Sequence, residues 1–233
     1  MKNTPIVEKN KIYNAVINDI GQTGTGIGKI DGFTVFVDGA LPGEEVRVLV
    51  INVKKNYCYG KIVETVKQSP YRTKPACPVF NRCGGCQLMN MKYEGQLEFK
   101  TKRIKDCLER IGGFKDIEIE PVIGAKAPFY YRNKAQFPVG GGKIGFYSRH
   151  SHNIVDTDKC YIQNPANEKI VAAVRKYMNE NNVTSYNEIT GKGLVRHIFT
   201  RVGKATGEIM VCLVINGEKL PYENKFVKHM SAI

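Results

Sequence analysis

The sequence predicts a mainly β protein of the α+β class: a five-stranded OB-like barrel, then a cysteine-rich loop, then a segment mixing strands with helices. Three observations carry that expectation. Residues 11–66 break into five short runs of alternating apolar and polar residues separated by turn chemistry. Residues 69–86 concentrate proline, glycine and cysteine. Two later stretches, 93–111 and 164–178, carry apolar residues at helical spacing.

Residues 1–10 are polar and read as a frayed terminus. Tyr13, Ala15 and Ile17 then alternate with their neighbours as a first strand. The run Gly21-Gln-Thr-Gly24-Thr-Gly26-Ile-Gly28 holds too much glycine for a helix. Asp31-Gly32 signals a two-residue hairpin turn before the β-branched and aromatic strand Phe33–Val37. Leu41-Pro42-Gly43-Glu44 suits a type II turn, with Pro and Gly at its centre. Runs 45–52 and 57–66 complete five strands, which fits a small Greek-key barrel.

After the loop, Tyr93, Leu97, Ile104, Leu108 and Ile111 line one predicted helix face, and Gly112-Gly113 ends the helix. Lys100 falls on that face and is expected to snorkel. Ala135, Phe137 and Val139, a glycine turn at 140–142, then Ile144 and Phe146 predict a hairpin. Asn164-Pro165 opens a second helix, whose buried stripe is Ile170, Val171, Val174 and Met178. Residues 194–202 and 208–215 predict another hairpin. A last helix begins at Pro221 and meets the end of the sequence at Ile233 before a cap is visible, which suggests a truncated chain.

The 233 residues carry a net charge of +13, which favours a polyanionic partner through counterion release, although basic proteins without one exist. No apolar run is long enough to span a bilayer and no export signal is evident, so a soluble, cytoplasmic, monomeric protein without membrane contact is expected. Seven cysteines, an odd count, argue against a disulfide framework.

The pattern Cys77-x5-Cys83-Gly-Gly-Cys86 puts three thiols within ten residues on a loop that glycine lets fold tightly. Iron–sulfur clusters take thiolates from such loops together with a remote fourth, and Cys160 is the candidate for it. Zinc is the rival, though its all-cysteine sites more often pair two short knuckles. Free redox thiols remain open as well. The spacing does not fit the compact three-cysteine loop of radical enzymes. Cys58, Cys107 and Cys212 stand apart and read as ordinary thiols.

In this order, the glycine-rich barrel, the cysteine motif, a basic helix, Tyr130-Tyr-Arg-Asn-Lys-Ala135, Ile144-Gly-Phe-Tyr147, Ser151-His-Asn-Ile-Val155 and Cys160 resemble the RNA uracil-5 methyltransferases. The likeness is closest to the bacterial 23S ribosomal RNA branch, which carries a TRAM domain and a [4Fe–4S] cluster. Gly193-Leu-Val-Arg-His-Ile198 and Thr206-Gly-Glu-Ile-Met-Val211 resemble strands of that family's central domain.

The resemblance implies three segments: a TRAM barrel at 1–67, an iron–sulfur loop at 68–92 and an incomplete α+β central domain at 93–233. It implies Cys77, Cys83, Cys86 and Cys160 as ligands of a [4Fe–4S] cluster, and 23S rRNA as partner. Such enzymes add a cysteine thiolate to C6 of uracil, which lets C5 attack the methyl group of S-adenosylmethionine; a base then takes the C5 proton. The family keeps that machinery in a C-terminal Rossmann-like domain. No strand, glycine turn and acidic partner of that kind is legible here, so the domain is expected to be absent, no catalytic residue is assigned, and the chain alone is expected to be inactive. The alternatives are a stand-alone RNA-binding iron–sulfur or zinc protein without catalysis, and an electron-transfer or redox enzyme.

For RNA, the barrel offers Lys29, Phe33, Lys54, Lys55, Tyr57 and Lys61, with Phe33 equally suited to the core. Arg132 and Lys134 alternate onto one face and suit a phosphate backbone or plain solvent. His150 and His152 share a face, while Arg196 and His197 should point to opposite faces of a flat strand.

Overall fold

The computed structural model describes residues 7–233; of the stretch expected to fray, residues 1–6 lie outside the described residues. The rest of that stretch is ordered into the fold. Val7 is buried in the barrel core, and the Asn10 amide donates to the Val50 carbonyl.

Two compact units form. One joins residues up to 75 with 87–124; the other joins 76–86 with 125–233. The segments drawn from sequence are thus regrouped: the first helix counts with the barrel, and the cysteine loop counts with the later sheet.

In the first unit, β1 (Ile12–Ile20), β2 (Thr25–Ile30), β3 (Phe33–Asp38), β4 (Glu45–Val53) and β5 (Tyr57–Lys67) close a barrel in the order β1-β2-β3-β5-β4. Alternation decides what faces in: Ala15, Ile17, Val35, Val37, Val46, Val48 and Val50 fill the interior. The turn between β2 and β3 uses Asp31 and Gly32, both at positive φ, as a primed hairpin turn requires. β3 and β5 pair in parallel, and that pair, with β1 against β4, seals the cylinder.

Glu44 is fully buried beneath the 41–44 turn. Its carboxylate accepts from the Leu41 amide at 2.9 Å and from Arg72 Nη2 at 2.6 Å, with a second contact from Arg72 Nε. Arg72 also donates to the Gly39 carbonyl, so one buried pair ties the chain leaving β5 to the barrel.

α1 (Tyr93–Arg110) forms where expected but uses a different face. Ile104 and Ile111 are exposed, and so is Lys100. Contact runs instead through Gly95, whose missing Cβ admits the Tyr71 ring, and through Phe99, which packs with Tyr71 and Leu88 around Ile20, Leu41 and Met91. Further along the helix, Lys102 reaches Asp19 of β1 at 3.2 Å and Thr101 accepts from the Val122 amide. Its later turns rely on charged pairs four residues apart, such as Lys102–Asp106 and Lys105–Glu109.

The second unit is an antiparallel sheet in the order β10-β9-β6-β7-β8, made of β6 (Lys134–Gly140), β7 (Lys143–Tyr147), β8 (Ile154–Asp156), β9 (Val195–Val202) and β10 (Ile209–Ile215). β8 is a strand the sequence reading did not foresee. α2 (Ala166–Glu180) buries Ile170, Val171, Val174 and Met178 as its pattern predicts, and adds Tyr177. The Asn164 side chain accepts from the Ala166 amide at the helix entrance. α3 (Glu223–Met230) lays Phe226 edge-on to Tyr177.

In this region, expected as an incomplete α+β domain, Ala135, Phe137, Ile144, Ile170, Tyr177, Val195 and Ile198 pack into one continuous cluster. The last helix also finishes within the chain, with the Ser231 amide donating to Val227. Among the described residues no helix is long and apolar enough to cross a membrane.

Candidate functional site

Cys77, Cys83, Cys86 and Cys160 all belong to the second unit. The loop 76–86 winds through tight turns: the Phe80 amide donates to the Cys77 carbonyl, and the Cys83 amide donates to Val79 at 2.8 Å. Docking follows through the backbone. Gly84 donates to the Tyr147 carbonyl at 2.9 Å, and Cys83 bridges Ser148. A Cβ on Gly84 would stand 3.1 Å from that carbonyl, so glycine permits the approach. Arg149 fastens the loop from outside, donating to the Cys86 carbonyl and lying over the buried Phe80 ring.

Cys160 arrives from the stretch before α2. Tyr130 donates to Tyr161 and Arg132 to Ile162, which align residues 160–163 beside the segment entering β6. The Cys160 sulfur accepts backbone N–H groups from Ile162 and Gln163, and the Cys83 sulfur accepts from Gly85. Backbone donors aimed at sulfur suit a thiolate that carries charge.

The four thiols lie within electrostatic reach of one another. Burial first, and then the charges of Cys160, Cys83 and Cys77, push the Cys86 thiol up to about 11 against the opposing charge of Arg132. Cys83 and Cys160 are raised for the same reasons, burial first. As they stand, however, no three His, Cys, Asp or Glu side chains among the described residues are arranged to hold a single metal ion. These two facts are compatible: mutual repulsion needs proximity, whereas gripping one ion needs sulfurs drawn almost into contact. Elsewhere, Cys58 is buried in the barrel, and Cys107 and Cys212 are exposed.

On the barrel, Lys54 and Lys55 are exposed in the β4–β5 turn, and Lys61 is exposed on β5. Lys29 is exposed on β2 and donates to Thr34 across the hairpin. Phe33 is half-buried against the barrel core, whereas Tyr57 joins an aromatic group on the β3–β5 surface. That group also contains Phe36 and Tyr59, with ring centroids 5.4–5.7 Å apart. Sequence reasoning missed both. The parallel register Thr34↔Tyr57 and Phe36↔Tyr59 brings them together, and no local pattern announces a parallel pairing. In the second unit Lys134 lies over the Phe199 ring, and Arg132 sits beside the thiols rather than on the sheet.

The expected opposition of Arg196 and His197 is corrected. Both line one cleft of about 420 Å³, with His152, Tyr147, Tyr186 and Glu188. The register between β9 and β10 skips Arg196, since Val214 pairs with His197 and Ile215 with Val195. That bulge re-aims a side chain that a regular pleat would send away. His152 pairs with Glu188, and His150 lies outside that cleft's lining.

Comparison with known proteins adds the following. Residues 7–63 match the TRAM domain model. An RNA methyltransferase of Bacillus cereus is 41% identical over 99% of this chain and 51% of its own length. One of Clostridium acetobutylicum is 44% identical over 96% of this chain and 50% of its own length. Its relatives are RNA methyltransferases. The chain spans about half the length of the curated relatives it matches. Among solved structures, Pyrococcus abyssi tRNA (uracil-54, C5)-methyltransferase in complex with S-adenosyl-L-homocysteine matches with a TM-score of 0.69 and 29% identity, over 91% of this chain and 48% of that one.

These matches correct the reading of the chain as a portion defined by a missing catalytic domain and inactive alone. The likeness to methyltransferases runs through the barrel and the second unit, across 99% of the chain, rather than stopping at an RNA-binding module. That reading rests on a motif not found, and a motif not found fixes neither fold nor activity.

Proposed function

We propose that the protein works as an S-adenosylmethionine-dependent RNA methyltransferase that modifies C5 of uridine, with 23S rRNA as its substrate. The observation that carries this reading is continuous likeness: one alignment to an RNA methyltransferase, at 41% identity, spans both this chain's TRAM barrel and its four-cysteine unit. The solved relative, a tRNA (uracil-54, C5)-methyltransferase, favours tRNA as the second reading.

Within it, the barrel grips RNA. Lys29, Lys54, Lys55 and Lys61 neutralise phosphates, and Tyr57, with the neighbouring Phe36 and Tyr59, offers rings on which bases stack. Phe33 supports that surface from its half-buried position. Arg132 and Lys134 extend the cationic character of the second unit.

Cys77, Cys83, Cys86 and Cys160 hold a [4Fe–4S] cluster. The residues fit the group: four thiols in one unit, repelling one another, with backbone N–H groups on the Cys83 and Cys160 sulfurs. A polynuclear core is larger than one ion, so its thiolates stand further apart than those of a zinc site. Its role is structural, clamping the loop 76–86 and the stretch around Cys160 onto the sheet. S-adenosylmethionine supplies the methyl group when bound. No residue of the chain is assigned to the methyl-transfer step itself.

Anaerobic purification with iron, sulfide and zinc analysis tests the centre. About four iron and four sulfide per chain are expected; stoichiometric zinc without sulfide would replace the cluster by a zinc site. Tritium from labelled S-adenosylmethionine, offered with 23S rRNA and tRNA transcripts to the protein, reads the substrate. Labelled 5-methyluridine in 23S rRNA is expected. Label in neither RNA would overturn the reading.

A further inference from the structure

The cleft of about 420 Å³ between the β6–β7 hairpin, β8, residues 186–189 and the start of β9 lies in the second unit and contains none of the four cysteines, although the Tyr147 backbone also anchors the cysteine loop. Its size is in the range of pockets for small ligands, about 300–1,000 Å³. Two features inside it point to a ligand.

The first is an open aromatic stack. Tyr147 and His152 lie ring on ring, with centroids 4.8 Å apart and planes 20° from parallel. Glu188 fixes both, accepting from the Tyr147 hydroxyl at 3.1 Å and contacting His152 Nδ1 at 2.9 Å. The His152 side chain remains 74% exposed, so the stack ends at a ring with room for another. The second is a poised cation. The bulge turns Arg196 into the cleft, where its guanidinium lies 4.5 Å over the Tyr186 ring. Its Nε is buried and has no hydrogen-bond partner. A guanidinium backed by an aromatic face suits a phosphate. Lys143 lies on the same lining. The carboxylate of Glu188 is engaged by Tyr147 and His152, and so repels an incoming anion less than a bare one. Burial, and then Arg196, hold His197 toward its neutral form, so the cleft's positive charge comes from Arg196 and Lys143.

We infer that this cleft holds one unpaired nucleotide of the RNA, its base stacked on His152 and its phosphate bound by Arg196 and Lys143. The inference rests on the RNA substrate proposed above and adds a second grip on it, separate from the barrel. An unpaired base is required because a paired one has no free face to extend the stack.

The test uses the full chain and a short single-stranded RNA carrying 4-thiouridine. Photocrosslinked peptides are mapped by mass spectrometry on the wild-type protein, and affinities are measured for His152→Ala, Arg196→Ala and, as a barrel control, Lys61→Ala. Crosslinks at Tyr147, His152 or Tyr186 are expected. Loss of a stacking partner should weaken binding about fivefold to a hundredfold. If crosslinks fall only within residues 12–67, and both cleft variants bind as the wild type does, the cleft is not a nucleotide site, while the RNA reading survives. If the wild-type chain binds no RNA at all, both fall together. The crosslink map needs no variant, so it decides the matter even if a substitution disturbs folding.

Discussion

Replacing Glu44 by Gln keeps the shape of a buried side chain and removes its charge. In the native barrel that carboxylate is fully buried, while the Arg72 side chain is 20% exposed. The substitution leaves a largely buried guanidinium without its counter-charge, with only neutral oxygens, the Gly39 carbonyl among them, to accept from it. Breaking a buried ion pair from one side costs about 3–5 kcal/mol. Because water still reaches part of Arg72, the lower end, about 3 kcal/mol, is expected for Glu44→Gln. Glu44→Ala also loses the acceptor for the Leu41 amide, a further ~1 kcal/mol. Removing both charges, Glu44→Leu with Arg72→Met, should recover most of the loss, since no unpaired ion remains. Urea denaturation followed by tyrosine fluorescence reads the effect, as the chain holds 12 Tyr and no Trp. In a unit of this size the melting point should drop by on the order of 10 °C for Glu44→Gln. A single variant within about 0.5 kcal/mol of wild type, or a double variant worse than both singles, would refute the assignment of the pair as the clamp below the 41–44 turn.

Four further outcomes follow from the same structure. Cys160→Ser should lower iron content and visible absorption while leaving the barrel folded, whereas Cys212→Ser, at an exposed thiol outside the centre, should change neither; equal iron in both variants would remove Cys160 from the ligand set. Lys54→Ala with Lys55→Ala should reduce the slope of log affinity against log salt by about 1.4 for single-stranded RNA, about 0.7 per phosphate contact, and an unchanged slope would show that they face solvent alone. Burial works against ionisation of Asp156, but the Ile144 amide, Arg175 and Lys143 outweigh it and hold its carboxyl below the usual range. That stability is therefore present above the ordinary carboxylate pKa and is lost as pH falls through the depressed one; Asp156→Asn should flatten the acid limb of melting temperature against pH, and an unchanged limb would be the contrary result. Gly145→Ala would drive a Cβ to 1.9 Å from the Val155 carbonyl and should cost about 1–3 kcal/mol by prying β7 from β8; thermal melting at wild-type temperature would contradict that register.

The patterns that survived translation into structure are those whose cause is local. Ala15, Ile17, Val35 and Val48 point inward because alternation along a strand admits no other choice once one face is buried. Asp31-Gly32 turns the chain because those two positions accept positive φ. The stripe of α2 is buried because its apolar residues recur at the helical period. α1 shows the limit of such reasoning. Its apolar stripe was real, yet packing chose Gly95 and Phe99, since the shape of Tyr71 and its neighbours decides which face fits.

By itself the sequence determined a five-stranded barrel, the strands and helices that follow it except β8, and four cysteines of a kind and spacing suited to a shared inorganic core. Tertiary structure alone decided which thiols share a unit, that Phe36 and Tyr59 stand beside Tyr57, and that Arg196 and His197 open onto one cleft. The physical reason is the range of the forces involved. Turns, alternation and helical periods are set by neighbours along the chain, whereas a parallel pairing, a bulge or a loop docked on a distant strand depends on contacts between residues far apart in sequence, and no local pattern records them.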